Sequence, residues 1–162
     1  MKTKCITYSA VIGLLLFFMG CASSGPIDLN TPGEQRLSVA DQVDVVLSSE
    51  DANRVEPVIP GKETASTGSV WKRAFVGKEG ISPASIRIVS SELRQNLAGG
   101  GFVMRYTYTV EAVLTIGDRQ VHLKGEGTRA ASTAMLSAMR QAVELAVVQV
   151  ASQARAELSG IK

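Results

Sequence analysis

The chain has 162 residues and a nearly balanced charge, with 17 lysines and arginines against 15 aspartates and glutamates. A nucleic-acid-binding surface needs a concentrated excess of basic residues, which this composition does not supply. One histidine and two cysteines offer too few ligands for a zinc site built on these residue types. We therefore expect no nucleic-acid partner, no metal and no cofactor.

The first element is a short apolar segment that follows two lysines. The apolar residues extend from Tyr8 to Met19, and the segment ends at the small residue Gly20. A basic start, an apolar core and a small residue are typical of a secretory signal peptide. A helix that spans a bilayer needs about 20 apolar residues, so this core is short for a membrane span. We predict that residues 1–20 are an export signal.

A cysteine follows this segment directly. The residues Phe18-Met19-Gly20-Cys21 resemble the lipobox of bacterial lipoproteins. The resemblance implies that the thiol of Cys21 receives a diacylglycerol, that cleavage follows Gly20, and that the new amino terminus carries a fatty acid such as palmitate. It also implies a location in the bacterial cell envelope. The alternative is an ordinary signal peptide that happens to precede a cysteine.

Cleavage after Gly20 would leave about 140 residues, enough for one domain with a hydrophobic core. The two lysines lost with the signal account for the formal net charge of +2, so the mature chain would be neutral. Membrane attachment would then depend on the acyl chains, because several chains anchor a protein firmly where one does so marginally. Cys5 would be lost with the signal and Cys21 would be acylated. The folded part would therefore contain no disulfide.

The residues after the cysteine predict the location and the domain limits. An aspartate in place of Ala22 would resemble the inner-membrane retention signal of enteric lipoproteins. Its absence favours the periplasmic face of the outer membrane over the inner membrane. Residues 21–36, rich in Ser, Gly, Pro and Asn, are expected to be the lipidated cysteine and a flexible tether. Residues 37–162 are expected to form a single α+β periplasmic domain.

Alternation of apolar and polar residues predicts about four strands in this domain. They cover residues 37–47, 86–97, 102–116 and 119–128. Residues 48–70 have no sustained period, and because a loop of that length is unusual in a compact domain, the sequence leaves their structure open. The segment from Trp71 to Val76 is expected to be a short strand or a turn that brings Trp71 and Phe75 to the core.

The turn Gly117-Asp118 fixes the register of the last two strands. A two-residue loop that begins with glycine fits a type II′ hairpin turn, which pairs Ile116 with Arg119. The same register pairs Leu114 with Val121, Ala112 with Leu123, Val110 with Gly125, Tyr108 with Gly127, and Glu111 with Lys124. A shift by one residue would move His122 into the core, so this register is strongly specified.

Residues 129–158 contain no glycine or proline and many alanines, which predicts one long helix. At 1.5 Å per residue it would be about 45 Å long, enough to cross the sheet. Alanines recur every four residues from Ala130 to Ala146, and Gly125 and Gly127 would let the helix approach the sheet closely. A possible partner surface comprises Met135, Met139, Val143 and Val147. Ordinary packing of the helix on the sheet is the favoured alternative.

No set of residues in the sequence is typical of an active site. His122, on the polar face of a predicted strand, lacks a second histidine or a free cysteine nearby. Glu111 and Glu126 would form a catalytic acid pair only if they converged, and pairing with a neighbouring lysine is the simpler interpretation. Tyr106 and Tyr108 suggest a stacking platform, but core tyrosines with their hydroxyls at the rim are favoured. We therefore predict a protein that is not an enzyme.

The predicted fold is α+β, an antiparallel β-meander of about four strands with one long C-terminal helix packed on one face. This order over residues 86–158 resembles small outer-membrane lipoproteins and the auxiliary lipoproteins of ABC-type envelope transporters. The resemblance implies a non-catalytic subunit that binds partner proteins or lipid in the periplasm. We expect a lipid-anchored binding or assembly factor for an envelope transport or biogenesis complex. The alternative is a structural or cell-surface lipoprotein, and the oligomeric state stays open.

Overall fold

A computed structural model describes residues 25–29, 37–99 and 102–160. The strands are β1 (Ile27–Asp28), β2 (Val46–Leu47), β3 (Val55–Ile59), β4 (Thr64–Ser66), β5 (Ala84–Ala98), β6 (Val103–Ile116) and β7 (Arg119–Ala131). The helices are α1 (Ser49–Ala52), α2 (Gly68–Ala74) and α3 (Met135–Ser159), with a 3₁₀ turn at Val39–Asp41. The strands form one sheet in the order β1-β4-β3-β5-β6-β7, and β2 pairs with β5.

This sheet shows that the predicted four-stranded antiparallel meander is wrong, although the α+β class is right. The described residues contain seven strands in a mixed sheet. The pairs β1–β4, β2–β5 and β3–β5 are parallel. Only β5, β6 and β7 form an antiparallel meander. The other four strands have two to five residues each, too few for an alternating pattern to identify them.

Strands β6 and β7 follow the predicted periodicity and pair in the predicted register along their whole length. In β5 the register shifts between Ile88 and Ser90, so the alternation of buried residues changes there. Gly117 has a φ angle of 56°, and none of the described non-glycine residues has a positive φ. Asp118 therefore has a negative φ, as the second position of a type II′ turn requires. Glu111 lies opposite Lys124, with 2.6 Å between Lys124 Nζ and Glu111 Oε1.

Helix α3 packs on β7 with its backbone close to the strand. A Cβ atom added to Gly127 would overlap the carbonyl oxygen of Ala142, and one added to Gly125 would overlap that of Ala146. This confirms the predicted close approach. The helix begins at Met135 instead of residue 129, because β7 continues its pairing with β6 as far as Ala131. Tertiary pairing here overrides the helix propensity of the alanines.

Residues 37–47 do not form the predicted strand. Ser38 and Asp41 make a local capping arrangement, in which the Ser38 hydroxyl donates to Asp41 Oδ2 at 2.7 Å and the Ser38 N–H donates to the same oxygen. Such local bonds compete with strand pairing and favour the 3₁₀ turn. The buried residue Val43 then pairs with Phe75 in an isolated parallel bridge. Only Val46–Leu47 pairs with β5.

Residues 48–70, whose structure the sequence left open, contain α1, β3, β4 and the start of α2. The segment that begins at Trp71 continues helix α2 to Ala74 and is neither a strand nor a turn. Its predicted place in the core is confirmed, because Trp71 and Phe75 are buried and their rings stack 5.6 Å apart.

The first described residues lie within the stretch that we predicted as a tether. Ile27–Asp28 forms β1 and pairs with β4, and the side chain of Leu29 is buried in the core. The sheet therefore includes residues upstream of position 37, the predicted start of the domain.

Candidate binding surfaces

The predicted cleavage and lipidation positions, Gly20 and Cys21, lie outside the described residues, so both assignments stay predictions. The described residue closest to Cys21 in the sequence is Gly25, and strand β1 begins two residues later. Among the helices of the described residues, none is long and apolar enough to cross a bilayer.

The candidate partner surface on the C-terminal helix is mostly covered by the sheet. Met139, Val143 and Val147 belong to the hydrophobic core, while 46% of the Met135 surface is exposed. Three of the four residues are therefore unavailable to a partner in this fold. The helix packs on the sheet, which was the favoured alternative.

The two tyrosines of β6 are also part of the core and do not form an open stacking platform. Tyr106 and Tyr108 are 2% and 0% exposed. The Tyr108 hydroxyl is not at the rim: it donates to Glu56 Oε1 at 2.8 Å and accepts from Trp71 Nε1 at 3.4 Å. Burial and the negative charge of Glu56 raise the pKa of Tyr108. The hydroxyl therefore keeps its proton and serves as a hydrogen-bond donor.

Glu56 is the centre of a buried polar cluster that the sequence did not predict. Besides Tyr108, its Oε1 accepts from Ser91 Oγ at 2.7 Å and from Arg54 Nε at 3.0 Å. Burial lowers the pKa of Arg54, but the charge and hydrogen bond of Glu56 together with the charge of Asp51 raise it, and the net shift is upward. The cluster therefore joins β3 to both β5 and β6 through a buried carboxylate.

Asp51 extends this cluster to the backbone of β5. Its Oδ2 accepts from the Ile88 N–H and from Ser48 Oγ, both at 2.8 Å, and its Oδ1 accepts from Arg54 at 3.0 Å. Ile88 lies on the β5 edge between the stretches paired with β2 and with β3. The carboxylate thus occupies a gap in backbone pairing. Because Asp51 and Glu56 are 1% and 4% exposed, we assign both a structural role. The spacing of Ser48 and Asp51 resembles a capping box, which is the one sequence signal for α1.

The face of β5, β6 and β7 opposite α3 is open and polar. Its exposed charged side chains are Arg87, Arg94, Arg105, Glu111, Lys124 and Glu126, and the exposed His122 lies among them. A shallow depression of about 460 Å³ lies on this face and is lined in part by Glu92, Glu111, Lys124 and Glu126. We call this surface the outer face. The outer face carries both positively and negatively charged side chains.

The candidate acid pair and the histidine lie on this outer face. The carboxylate of Glu111 bonds to Lys124, whose hydrogen bond and positive charge lower the pKa of Glu111. Glu126 lies opposite Thr109, and His122 is exposed opposite Val113. In the described part of the chain, no group of three or more acidic, histidine or cysteine side chains is arranged to hold a metal ion.

The free edge of β7 is partly covered by side chains from α3. Gln153 accepts from the Lys124 N–H at 3.2 Å and donates to the Lys124 carbonyl at 2.7 Å. Gln149 accepts from the Glu126 N–H at 3.0 Å. These bonds occupy backbone groups that could otherwise pair with the strand of another chain. The outer face, and not this edge, is therefore the larger surface open to a partner.

Comparisons with protein-family models and with curated proteins find no match to this chain. Among solved structures, the chain is similar to a Caulobacter crescentus protein described as a "putative lipoprotein". The two share 13% sequence identity, the TM-score is 0.37, and the similarity covers 69% of this chain and 94% of that one. A similarity of this size carries no inference about activity or partners.

Proposed function

We propose that this protein is a lipid-anchored, non-catalytic lipoprotein of the bacterial envelope that binds protein partners through its outer face. The open outer face is the observation that carries the binding role. It is formed by strands of 15, 14 and 13 residues whose opposite face is buried in the core, where α3 packs on β6 and β7. With strand spacings of about 4.8 Å, it measures roughly 650 Å². A standard protein interface uses about 800 Å² on each partner, so the outer face is large enough to supply most of one.

The chemistry of the outer face favours a protein partner. Arginine and lysine alternate with glutamate over the three strands, and threonines such as Thr107 and Thr128 lie among them, with their hydroxyls 3.2 Å apart. A surface of mixed charge selects a partner with the complementary pattern. A nucleic acid would instead require cations without nearby acids.

The sequence around Cys21 supports the anchor and the compartment. The lipobox resemblance implies acylation of this cysteine, and Ala22 favours the periplasmic face of the outer membrane. Strand β1 begins at Ile27, so at most about 20 Å of extended chain separates the acylated residue from the sheet. The domain would therefore stay near the membrane surface, where the components of envelope transport and biogenesis complexes are accessible.

The anchor is tested by metabolic labelling with a radioactive fatty acid, in the wild-type protein and in Cys21→Ser. We expect label and membrane attachment in the wild type and neither in the variant. Cys5→Ser is the matched control, because it removes the other cysteine and should leave the label unchanged. An unlabelled wild-type protein that still sediments with membranes would show that the lipobox assignment is wrong.

The binding role is tested by site-specific photo-crosslinking in cells. A photoreactive amino acid at Thr109, near the centre of the outer face, should yield discrete crosslinked protein products. The same probe at Ser152, an exposed residue of α3 on the opposite side of the sheet, is the control and should yield none. If Thr109 gives no product above this control in repeated trials, the outer face is not a binding surface. Digestion of the protein in intact cells by added protease would favour the alternative of a cell-surface lipoprotein.

A further inference from the structure

Four of the ten exposed large apolar side chains of the described residues lie at one end of the sheet. The β5–β6 hairpin lies at this end, and α3 begins there because it follows the end of β7. The exposed side chains are Leu97 (68%), Phe102 (87%), Met135 (46%) and Leu136 (50%). We call these four side chains the apolar tip. An aromatic ring that is 87% exposed at a hairpin turn contributes nothing to the core, so the apolar tip requires another explanation.

Strand β1 enters the sheet from the end that carries the apolar tip. β3 runs parallel to β5, toward the hairpin, while β4 is antiparallel to β3 and β1 is parallel to β4. The chain that leads into β1 therefore approaches from the hairpin end. This conclusion depends only on the directions of the paired strands from β5 through β3 and β4 to β1.

The position of Ile27 in the sheet sets how far the anchor can lie from the tip. Ile27 pairs with Ala65, Ala65 pairs with Glu56, and the Glu56 carboxylate bonds to Ser91 of β5. Ile27 and Ser91 therefore lie at about the same level along the strands. Leu97 lies six residues beyond Ser91 on β5, or about 20 Å at 3.3 Å per residue. Cys21 lies six residues before Ile27, and six extended residues also reach about 20 Å. The chain thus has the length and the direction to bring Cys21 level with the tip.

Basic residues lie at the same end of the sheet as the apolar tip. Arg105 and Arg129 lie on β6 and β7 near the hairpin end, and Lys62 lies in the turn between β3 and β4 at the same end. That turn also contains one acid, Glu63. Arg94 is close by but is paired with Glu92 at 2.8 Å. In the described part of this end, cations therefore outnumber acids, although the mature chain as a whole is predicted to be neutral.

We propose that the apolar tip and its basic surroundings contact the phospholipid bilayer that holds the protein's own lipid anchor. Apolar side chains bordered by lysine and arginine are typical of surfaces that lie in the membrane interface, where the cations face anionic headgroups. The inference rests on the proposed lipid anchor. It places the long strands upright on the membrane and directs the outer face into the aqueous periplasm.

Charge and topology favour a bilayer over a second copy of this chain as the occupant. Two copies that met tip to tip would bring Lys62, Arg105 and Arg129 of each close to those of the other, and like charges at an interface oppose association. A bilayer with anionic lipids presents the opposite charge. It also lies at the end from which the anchored chain reaches β1.

The test uses the full chain, produced with its signal so that Cys21 is lipidated, and reconstituted in vesicles of phosphatidylethanolamine and phosphatidylglycerol. The predicted mature protein has no other cysteine, so Phe102→Cys provides a single site for an environment-sensitive fluorophore. Ile81→Cys is the matched control, because Ile81 is apolar and 78% exposed but precedes β5 at the opposite end of the sheet. We expect a lipid-borne quencher to quench the label at position 102 several-fold more strongly than the label at position 81.

Equal quenching at the two positions, with lipid on Cys21 confirmed by mass spectrometry, would overturn this inference and leave the anchor intact. A protein without lipid on Cys21 would overturn both. The label at position 102 could instead be shielded from water without being quenched by lipid, and two copies could crosslink at that position. These two results together would identify a second copy as the occupant and would also overturn the inference. Arg105→Glu should reduce quenching at position 102 in anionic vesicles and have little effect in vesicles of neutral lipid.

Discussion

Two regions of the molecule differ in the interactions that stabilise them. One comprises residues 84–159, which form β5, β6, β7 and α3, and the other comprises residues 37–75, which precede them. We call the first the C-terminal meander and the second the N-terminal segment. In the meander, long strands bury alternate apolar residues, and α3 contacts β7 where Gly125 and Gly127 have no side chain. In the N-terminal segment, elements of two to seven residues are joined to the sheet through Asp51 and Glu56. Apolar packing therefore stabilises both regions, and in the N-terminal segment the buried carboxylate bonds add to it.

This difference indicates which substitutions each region tolerates. In the meander, a small apolar addition at the helix–strand contact should be harmful, while loss of a surface charge should matter little. In the N-terminal segment, loss of one carboxylate should leave several buried donors without an acceptor. Three substitutions test this contrast.

The largest effect is expected for Glu56→Ala. The substitution removes the acceptor for Tyr108, Ser91 and Arg54, and removal of one partner from a buried ion pair costs about 3–5 kcal/mol. We expect about 3 kcal/mol of destabilisation in urea unfolding, at the lower end of that range because the Arg54 side chain is 23% exposed.

Glu92→Ala is the matched control, because Glu92 also pairs with an arginine, Arg94, but at the surface. An exposed ion pair contributes about 1 kcal/mol at most, so the control should unfold near the wild-type midpoint. Equal losses for Glu56→Ala and Glu92→Ala would show that the buried cluster does not stabilise the N-terminal segment.

The next effect is expected for Gly127→Ala in the meander. The added Cβ atom would overlap the Ala142 carbonyl, so α3 must move away from β7. Such overpacking costs about 1–3 kcal/mol, and we expect about 2 kcal/mol from urea unfolding. Gly160→Ala is the control, since a Cβ atom there would lie 3.7 Å from its nearest neighbours. Wild-type stability of Gly127→Ala would mean that the helix and strand can separate without loss.

The same contrast explains what could be predicted from the sequence. The pairing of Tyr108 with Gly127 was predictable, because the turn at Gly117 and the alternating pattern fix the register locally. The bonds of Asp51 and Glu56 were not, because their partners Ile88 and Tyr108 are 37 and 52 residues away and no local pattern marks them. Strands as short as β2 leave no periodic signal.

The binding surfaces were also only partly predictable from the sequence. Met139, Val143 and Val147 were a possible partner surface, with packing on the sheet as the favoured alternative, because the sequence does not show which side of the helix the sheet covers. Leu97 and Phe102 are visibly apolar in the sequence. The pairing of β7 with β6 brings the end of β7, and with it Met135, to the same end of the molecule. The outer face was predictable as the polar side of the strands, because alternation assigns each residue to a face.

The smallest effect is expected for Glu111→Gln, which removes the surface pair with Lys124 and leaves packing unchanged. Because Lys124 lowers the pKa of Glu111, the pair stabilises the folded protein at neutral pH. That stabilisation is lost as the pH falls below the ordinary glutamate pKa, about 4.3, and through the lower value in the folded state. Thermal unfolding should therefore show a small difference between wild type and variant at pH 7 that disappears in acid.

Lys124→Gln and the double variant complete this test. If the two charges act only on each other, the double variant should be no less stable at pH 7 than either single variant. High salt should also reduce the difference between wild type and Glu111→Gln, because the pair is exposed. A difference that persisted in acid and in salt would mean that Glu111 stabilises the outer face through packing on its neighbours. The meander would then depend on its polar face as well as on its contact with α3.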